Sequence, residues 1–454
     1  MKNEALEILK EKIFQQLDCI EFPPASWIIN PQKNMDVAVI GAGMAGISAA
    51  FALLKQGIVN FQIFETAKEG EEGPWTTYAR MNLLRSGKEL TGPAYDFPLL
   101  TFRAWYEAQF GENGWEKLYK IPRAQWMQYL IWFREVLNLP VNNGFPIQKI
   151  DYDGSNMQLF SNGRVATASK IILATGRGSA QIPAFMSDVP KKYYAHTLES
   201  IDFKLLINKR LGVVGAGASA FDAAATALEA GAASATIVIR HEDIPRVNKS
   251  ASLIYPGFLE GYYYLTDKQK IEFMREIRSD GTPPPHEAIE RISKQPHFHF
   301  ERGAEVEAVQ VKDEKIQLET AKGTKSFDYL ILATGFINVV PSQPLLTPFV
   351  DDFFSWKDKE PTSNPKFNGA PYLGPHFQLI PKTNSNREFL KNIYCFNHSA
   401  ALSHGIISSD IPGIGIGAHR LARGIVIDFF TQNSTAYFQQ LRQFKTLELP
   451  YELI

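Results

Sequence analysis

Two glycine-rich segments hold the residues of this 454-residue chain whose types and spacing most clearly suggest chemistry. The first, Gly41-Ala-Gly43-Met44-Ala45-Gly46, follows the apolar run Asp36–Ile40 and opens an alanine-rich stretch. In such a motif the first glycine permits a tight turn out of a strand and the second lets backbone approach a pyrophosphate. The third lets helix and strand pack closely. The N–H groups opening the helix, those of Met44 and Ala45, are then free to meet phosphate oxygens. Glu65 stands 24 residues after Gly41, at the end of the next apolar run, where a carboxylate accepts hydrogen bonds from ribose hydroxyls. The segment reads as an adenine-dinucleotide site.

The pattern returns 174 residues later as Gly215, Gly217, Ala218, Ser219 and Ala220. Where the first unit has Glu65, this one has Arg240, a cation able to meet a 2′-phosphate, which favours NADPH over NADH. Glu242 nearby argues the other way, and Arg240 capping a surface strand is the bland alternative. Two further strands end in Ala-Thr-Gly, giving Thr175-Gly176 and Thr334-Gly335. Small residues there let the chain cross close to a dinucleotide, and both copies are read as serving the first cradle's ligand. Near the end, Gly413, Gly415 and Gly417 precede an apolar helical stretch. They either offer N–H donors at a helix N-terminus or form a structural cap.

These motifs need elements to hold them. Strands are expected at 36–40, 61–65, 170–174, 211–214, 236–240, 304–312, 315–319, 329–333 and 393–396, with helices at 44–55 and 218–230. The fold class is α/β, with two Rossmann-like dinucleotide-binding units. Residues 99–139, rich in Trp105, Trp115, Trp126 and Trp132, read as a helical insertion. An amphipathic helix with Ile8, Leu9, Ile13, Phe14 and Leu17 at helical spacing precedes a proline-bearing linker, Phe22–Asn34. The segment 340–386 reads as irregular, and the prolines at 283–285 as a loop leading into a helix ending near Ser293.

Composition narrows the function. With 47 Lys+Arg against 48 Asp+Glu there is no basic field for nucleic acid. Cys19 and Cys395 form no C-x-x-C pair, which removes dithiol–disulfide redox chemistry. No metal site is expected, since His297 and His299 lack companion ligands. With neither an h-region nor an uninterrupted apolar span, a cytoplasmic protein without an integral membrane segment is expected. A homo-oligomer stays open.

The chain resembles the class B flavoprotein monooxygenases, which include flavin-containing monooxygenases, Baeyer–Villiger enzymes and ornithine/lysine N-hydroxylases. The resemblance runs from about Val37 to Ile425 and rests on both cradles, on Gly73-Pro-Trp75, on Asp96-Phe97-Pro98 and on His404-Gly405. It implies FAD on the first cradle, NADPH on the second, and an NADPH domain (201–325) inserted into an FAD domain (35–200 and 326–454). It further implies oxygen transfer from a C4a-hydroperoxyflavin to a small-molecule substrate, with O₂ as the oxidant. Trp75 would pack on a ring, and Ser86, Arg85 and His404 would be the catalytic candidates. The family's histidine fingerprint is only partly kept: His196 is present, but Pro190, Lys192 and Ser200 replace its flanking residues. Ser86 stands where many flavin-containing monooxygenases carry asparagine. Two other readings stay open: a flavin oxidoreductase that inserts no oxygen, and a non-enzymatic redox sensor.

Overall fold

The computed structural model describes residues 2–30, 34–279, 281–339 and 343–449. Pro31 of the predicted linker and residues 340–342 of the irregular segment therefore lie outside the described residues. Strand Met35–Ile40 runs parallel to Phe61–Phe64 on one side and to Arg164–Leu173 on the other. Flanked in this way it is buried along nearly its whole length, which is why it reads as a continuous apolar run rather than an alternation. Val141–Asn142 extends the sheet at one edge, and Ile393–Cys395 returns to pair with Ile171–Leu173. The outer half of Arg164–Leu173 bends into an antiparallel meander with Met157–Ser161 and Lys149–Tyr152.

A second sheet is wholly parallel, in the order Phe298–Glu301, Ser234–Val238, Arg210–Val214, Tyr329–Leu332, Tyr194–His196. Its strands thus reach beyond 201–325, because Tyr194–His196 and Tyr329–Leu332 pair here and not with the first sheet. A three-stranded meander, Val306–Lys312, Lys315–Thr320 and Gly323–Phe327, buries Ile316, Leu318 and Phe327 against Leu330 and Leu332. The chain passes between the two sheets twice. The two crossings, Ser179–Ala180 and Phe336–Ile337, pair with each other antiparallel.

Helices Phe102–Lys117 and Arg123–Val136 form the predicted insertion, and its four tryptophans are all buried. Lys2–Asp18 lays Leu9, Ile13 and Leu17 against this insertion and leaves Ile8 and Phe14 exposed. The long helix Ile414–Gln432, which precedes the short last helix Ser434–Gln443 and is called the terminal helix below, packs along Met44–Lys55. Helix Asp267–Arg278 is an element that hydrophobic periodicity did not suggest. No helix among the described residues is long and apolar enough to cross a membrane.

The first sheet carries one buried cation beneath the terminal helix. Lys170, 1% exposed, donates to Asn392 Oδ1 (2.9 Å) and Gln432 Oε1 (3.4 Å), with Asp428 3.9 Å away. Burial lowers its pKa from 10.5 to about 8, and Asp428 offsets this only in part. Between those values the unfolded chain binds more protons at this site than the native one, so its contribution to stability rises with pH across that window. Replacing a buried charge by an apolar side chain of similar length is often neutral or stabilising. Lys170→Met should therefore keep or raise Tm at neutral pH and abolish the stability gain from about pH 8 to 10.5. Thermal denaturation of both proteins across this range checks it, and a Tm drop of more than ~5 °C would show that the ammonium is net stabilising.

Candidate active site

The first cradle is built by close backbone approach. Gly41 has φ +106°, and a Cβ there would lie 2.5 Å from the Ala174 carbonyl oxygen. A Cβ on Gly46 would lie 1.8 Å from the Gly41 carbonyl oxygen, so strand end and helix start nearly touch. Gly43 is the N-cap of helix Met44–Lys55 and no side chain caps it, which leaves the first-turn N–H groups of Met44, Ala45 and Gly46 free of helical acceptors. Glu65 Oε2 accepts from the Ala42 N–H (2.7 Å) and Oε1 from the Ala67 N–H (2.8 Å). The carboxylate is thereby fixed beside the glycine turn. Gly73 closes over Gly43, with 3.6 Å between its Cα and a Cβ built there, and brings Trp75 with it.

The second cradle repeats this geometry. Gly215 has φ +140°, and a Cβ there would lie 2.3 Å from the Ala333 carbonyl oxygen. Ala174 belongs to the first Ala-Thr-Gly and Ala333 to the second, so each copy borders its own cradle. The assignment of both to the first ligand is corrected: Tyr329–Leu332 pairs with Arg210–Val214, which carries Thr334 and Gly335 to the second site. Gly217 caps helix Ala218–Glu229 and faces open space, with Ala218, Ser219 and Ala220 in its first turn. Arg240 is exposed just past strand Ser234–Val238, its Nε 3.1 Å from His241 Nε2. Glu242, the source of the ambiguity, turns instead toward Lys322, with 3.4 Å between Oε1 and Nζ.

An aromatic cluster stands beside the first cradle, since Gly73 lies next to both Gly43 and Trp75. Trp75 meets Trp126 edge-on at 6.3 Å. Gly92 touches both Trp126 and Ile411, which brings the start of the terminal helix to the same place. Three buried polar atoms here, Trp75 Nε1, Gln125 Oε1 and Trp126 Nε1, have no protein partner. Buried polar groups are rarely left so, and they ask for a bound group. Of the three late glycines, Gly413 is the N-cap and Gly415 sits in the first turn with a free N–H. Gly417 is a packing residue, since a Cβ there would lie 2.0 Å from the Ile407 carbonyl oxygen.

The catalytic candidates fall elsewhere. His404 is fully buried, sandwiched between Phe377 (3.9 Å) and Tyr263 (4.8 Å), with Nε2 3.0 Å from the Gly374 carbonyl. Burial, then Arg420, holds its pKa well below the usual histidine range. With both faces covered it packs neutral rather than meeting a substrate, which corrects its catalytic assignment. Arg85 Nη2 donates to the Pro283 carbonyl (2.7 Å) across the junction of the two units. Ser86 sits half-buried on the same loop.

The sequence reading missed the charge cluster around Arg85. Arg80 donates to the carbonyls of Tyr78, Thr197 and Glu199, and Arg123 to those of Met81 and Trp75. Arg291 reaches Asp222 Oδ1 (3.3 Å), Glu229 Oε2 (2.8 Å) and the Arg80 carbonyl (3.1 Å). Asp222 is buried in the second cradle's helix, and burial raises its pKa to about 6 against the pull of Arg291, Arg85 and Arg80. The cluster fastens the loop from Gly73 to Lys88 to the second unit. Also missed were Arg177, one residue beyond Gly176, and Asp410. Arg177 follows a motif that was read, so its position was visible and only its direction was not.

A backbone cradle that a Cβ would fill, a fixed ribose-accepting carboxylate and orphaned indole and amide groups fit FAD on the first site. The second site fits a nicotinamide dinucleotide. Gly46→Ala should lose nearly all bound flavin, because the new methyl meets rigid backbone at 1.8 Å. Gly217→Ala, facing open space, should keep its flavin and lose NADPH affinity. Flavin absorbance of the purified variants and NADPH titration measure the two effects. Arg240→Glu should raise KM for NADPH by ~10–100-fold and leave NADH within ~3-fold. Steady-state kinetics with both reductants decide whether Arg240 meets the 2′-phosphate.

Comparison with known proteins accords with this geometry. Residues 38–283 match the family described as pyridine nucleotide-disulphide oxidoreductase. An FAD-dependent urate hydroxylase of Xanthomonas campestris pv. campestris is 35% identical over 412 residues, covering 88% of this chain and 87% of that protein. Among solved structures, an ornithine N-hydroxylase of Kutzneria sp. 744 superposes with a TM-score of 0.67 at 15% identity, over 87% of this chain and 99% of that one. A flavin-containing monooxygenase of Stenotrophomonas maltophilia gives 0.56 at 17% identity, over 87% and 98%. The likeness to these two is one of fold. Despite the family's name no disulphide pair exists here, since Cys19 is exposed and Cys395 is buried, both free. The chain belongs to the pyridine nucleotide-disulphide oxidoreductase family, in its branch of flavoprotein monooxygenases with two dinucleotide-binding units.

Proposed function

We propose that this chain is an FAD-dependent, NADPH-reduced monooxygenase acting on urate or a closely related planar oxidised purine. The observation that carries the reading is the 35% identity, along 88% of the chain, to a urate hydroxylase, on a fold with both cradles intact. Glu65 and the free N–H groups of Met44, Ala45 and Gly46 would hold the adenosine and pyrophosphate of FAD. Trp75, Gln125 and Trp126 would line its ring system, with the Gly415 N–H beside it. Gly215, Gly217, Ser219 and Arg240 would hold NADPH. Bound FAD supplies the two-electron and O₂ chemistry that no side chain can.

The chain's own part is to orient the two dinucleotides and keep water from the reacting centre. The tryptophans do the second, and the arginine cluster around Asp222 fixes the loop that covers the first cradle. Over the whole reaction NADPH gives two electrons, one atom of O₂ enters the product as hydroxyl and the other leaves as water. The reading carries with it a cytoplasmic location, where NADPH is supplied.

Purified protein should bleach its flavin with NADPH under anaerobic conditions. In air, urate should stimulate NADPH oxidation and yield product labelled from isotopic O₂. Product without label sinks oxygen insertion, and no stimulation by urate sinks the substrate assignment.

A further inference from the structure

Arg177 is a cation that none of the roles above uses. It follows Gly176 directly, and its guanidinium lies 4.7 Å over the Phe336 ring. Phe336 belongs to one chain crossing between the sheets and pairs with Ala180 of the other. The Gly178 N–H donates to Asn338 Oδ1 (2.7 Å), and a Cβ on Gly178 would lie 1.8 Å from the Ile337 carbonyl oxygen. The base of Arg177 is therefore locked where the two units join. The His398 N–H donates to the Gly176 carbonyl (3.2 Å), which ties the same spot to the first cradle's sheet through the segment after Ile393–Cys395. Thr175, Gly176 and Arg177 are exposed where the chain passes between the two sheets.

Three facts describe the charge there. Among the described residues no carboxylate lies within ion-pair distance of this guanidinium. Asp410 is near enough for Arg177 to pull its carboxyl down, yet burial still raises it. His398 is pushed down to about 3, first by burial and then by Arg177 and Arg278, so it adds no positive charge near neutral pH. Arg278, the second cation facing His398, lies 5.4 Å over the Phe367 ring. Two guanidiniums thus face one neutral imidazole, each on an aromatic plate. A guanidinium on a ring has one face covered and its in-plane N–H fork free, a shape that matches the edge of a planar anion bidentately.

We propose that Arg177, seated on Phe336, binds the anionic edge of a planar conjugated substrate at the crossing between the two units. The proposal rests on the monooxygenase reading and specifies how the substrate is recognised: by a fixed cation at the crossing, not by the flanking loops. The rival role for this cation is the pyrophosphate of FAD, which Ala174, three residues earlier, approaches through Gly41.

Arg177→Met and Arg177→Lys holoenzymes separate these roles. The expected result for Arg177→Met is unchanged flavin content, unchanged substrate-free bleaching by NADPH, and KM for urate raised by ~10–100-fold. Arg177→Lys should recover part of the loss, since charge remains and the fork does not. A KM within ~2-fold of wild type, or a loss of flavin, overturns the proposal. If wild type is reduced by NADPH yet ignores urate, the urate reading has failed, and flavin fluorescence titrated with benzoate, a planar anion, then tests Arg177 alone. A response in wild type that Arg177→Met weakens supports the anion site; equal responses, or none in wild type, overturn it.

Discussion

A carbonyl oxygen in each cradle leaves no room for a side chain on the glycine opposite it, and the rest of the structure hangs on that approach. Gly41 against Ala174 and Gly215 against Ala333 bring the end of one strand to the turn after another, within van der Waals reach. Both glycines sit at positive φ, which other residues adopt only with strain. This approach points a helix N-terminus at the C-terminal ends of the strands, where open α/β sheets bind their ligands. Without it the helix would stand off from the sheet and its free N–H groups would meet water. Two such cradles, one per sheet, dictate a molecule with two dinucleotide sites, and the paired crossings then hold those sites in one frame.

Part of what joins the units is a polar cluster of arginines. Arg291 pairs with the buried Asp222 and with Glu229, while Arg80, Arg85 and Arg123 donate to carbonyl oxygens. Carbonyl acceptors satisfy a guanidinium without neutralising it, so the junction keeps a surplus of positive charge. Burial lowers the Arg80 pKa to about 10, the mark of a cation held by dipoles rather than by a counter-charge. An apolar contact accompanies this cluster, because Leu253, Phe258, Leu259, Tyr262, Ile271 and Met274 are buried in the same core as the first sheet.

Both cradles were legible because the pattern that makes them is local: a strand, a glycine turn, a helix and one charged residue, all within about 30 residues. Which cradle each Ala-Thr-Gly serves was not, since the answer is the pairing of Tyr329–Leu332 with Arg210–Val214, more than a hundred residues away. His404 was misread for a related reason. Residue type suggests chemistry, but only packing shows that His404 lies between two aromatic faces. Other misses were legible and simply unread. Asn162-Gly163, both at positive φ, is a hairpin signal, and Thr266 with Gln269 forms the capping box that starts helix Asp267–Arg278.

The family's name invites one last comparison of chemistry with structure. In a disulphide oxidoreductase, electrons leave the flavin through a pair of cysteines. Here Cys395 is buried in the first sheet, with burial raising its pKa to about 12, and Cys19 is exposed just past the N-terminal helix. Neither can serve as half of such a pair. What the structure offers at the crossing instead is an exposed cation, Arg177, over the Phe336 ring and close to a neutral histidine, His398. Without a cysteine pair to take electrons from a flavin, the reading of this chain as a monooxygenase sends them to oxygen.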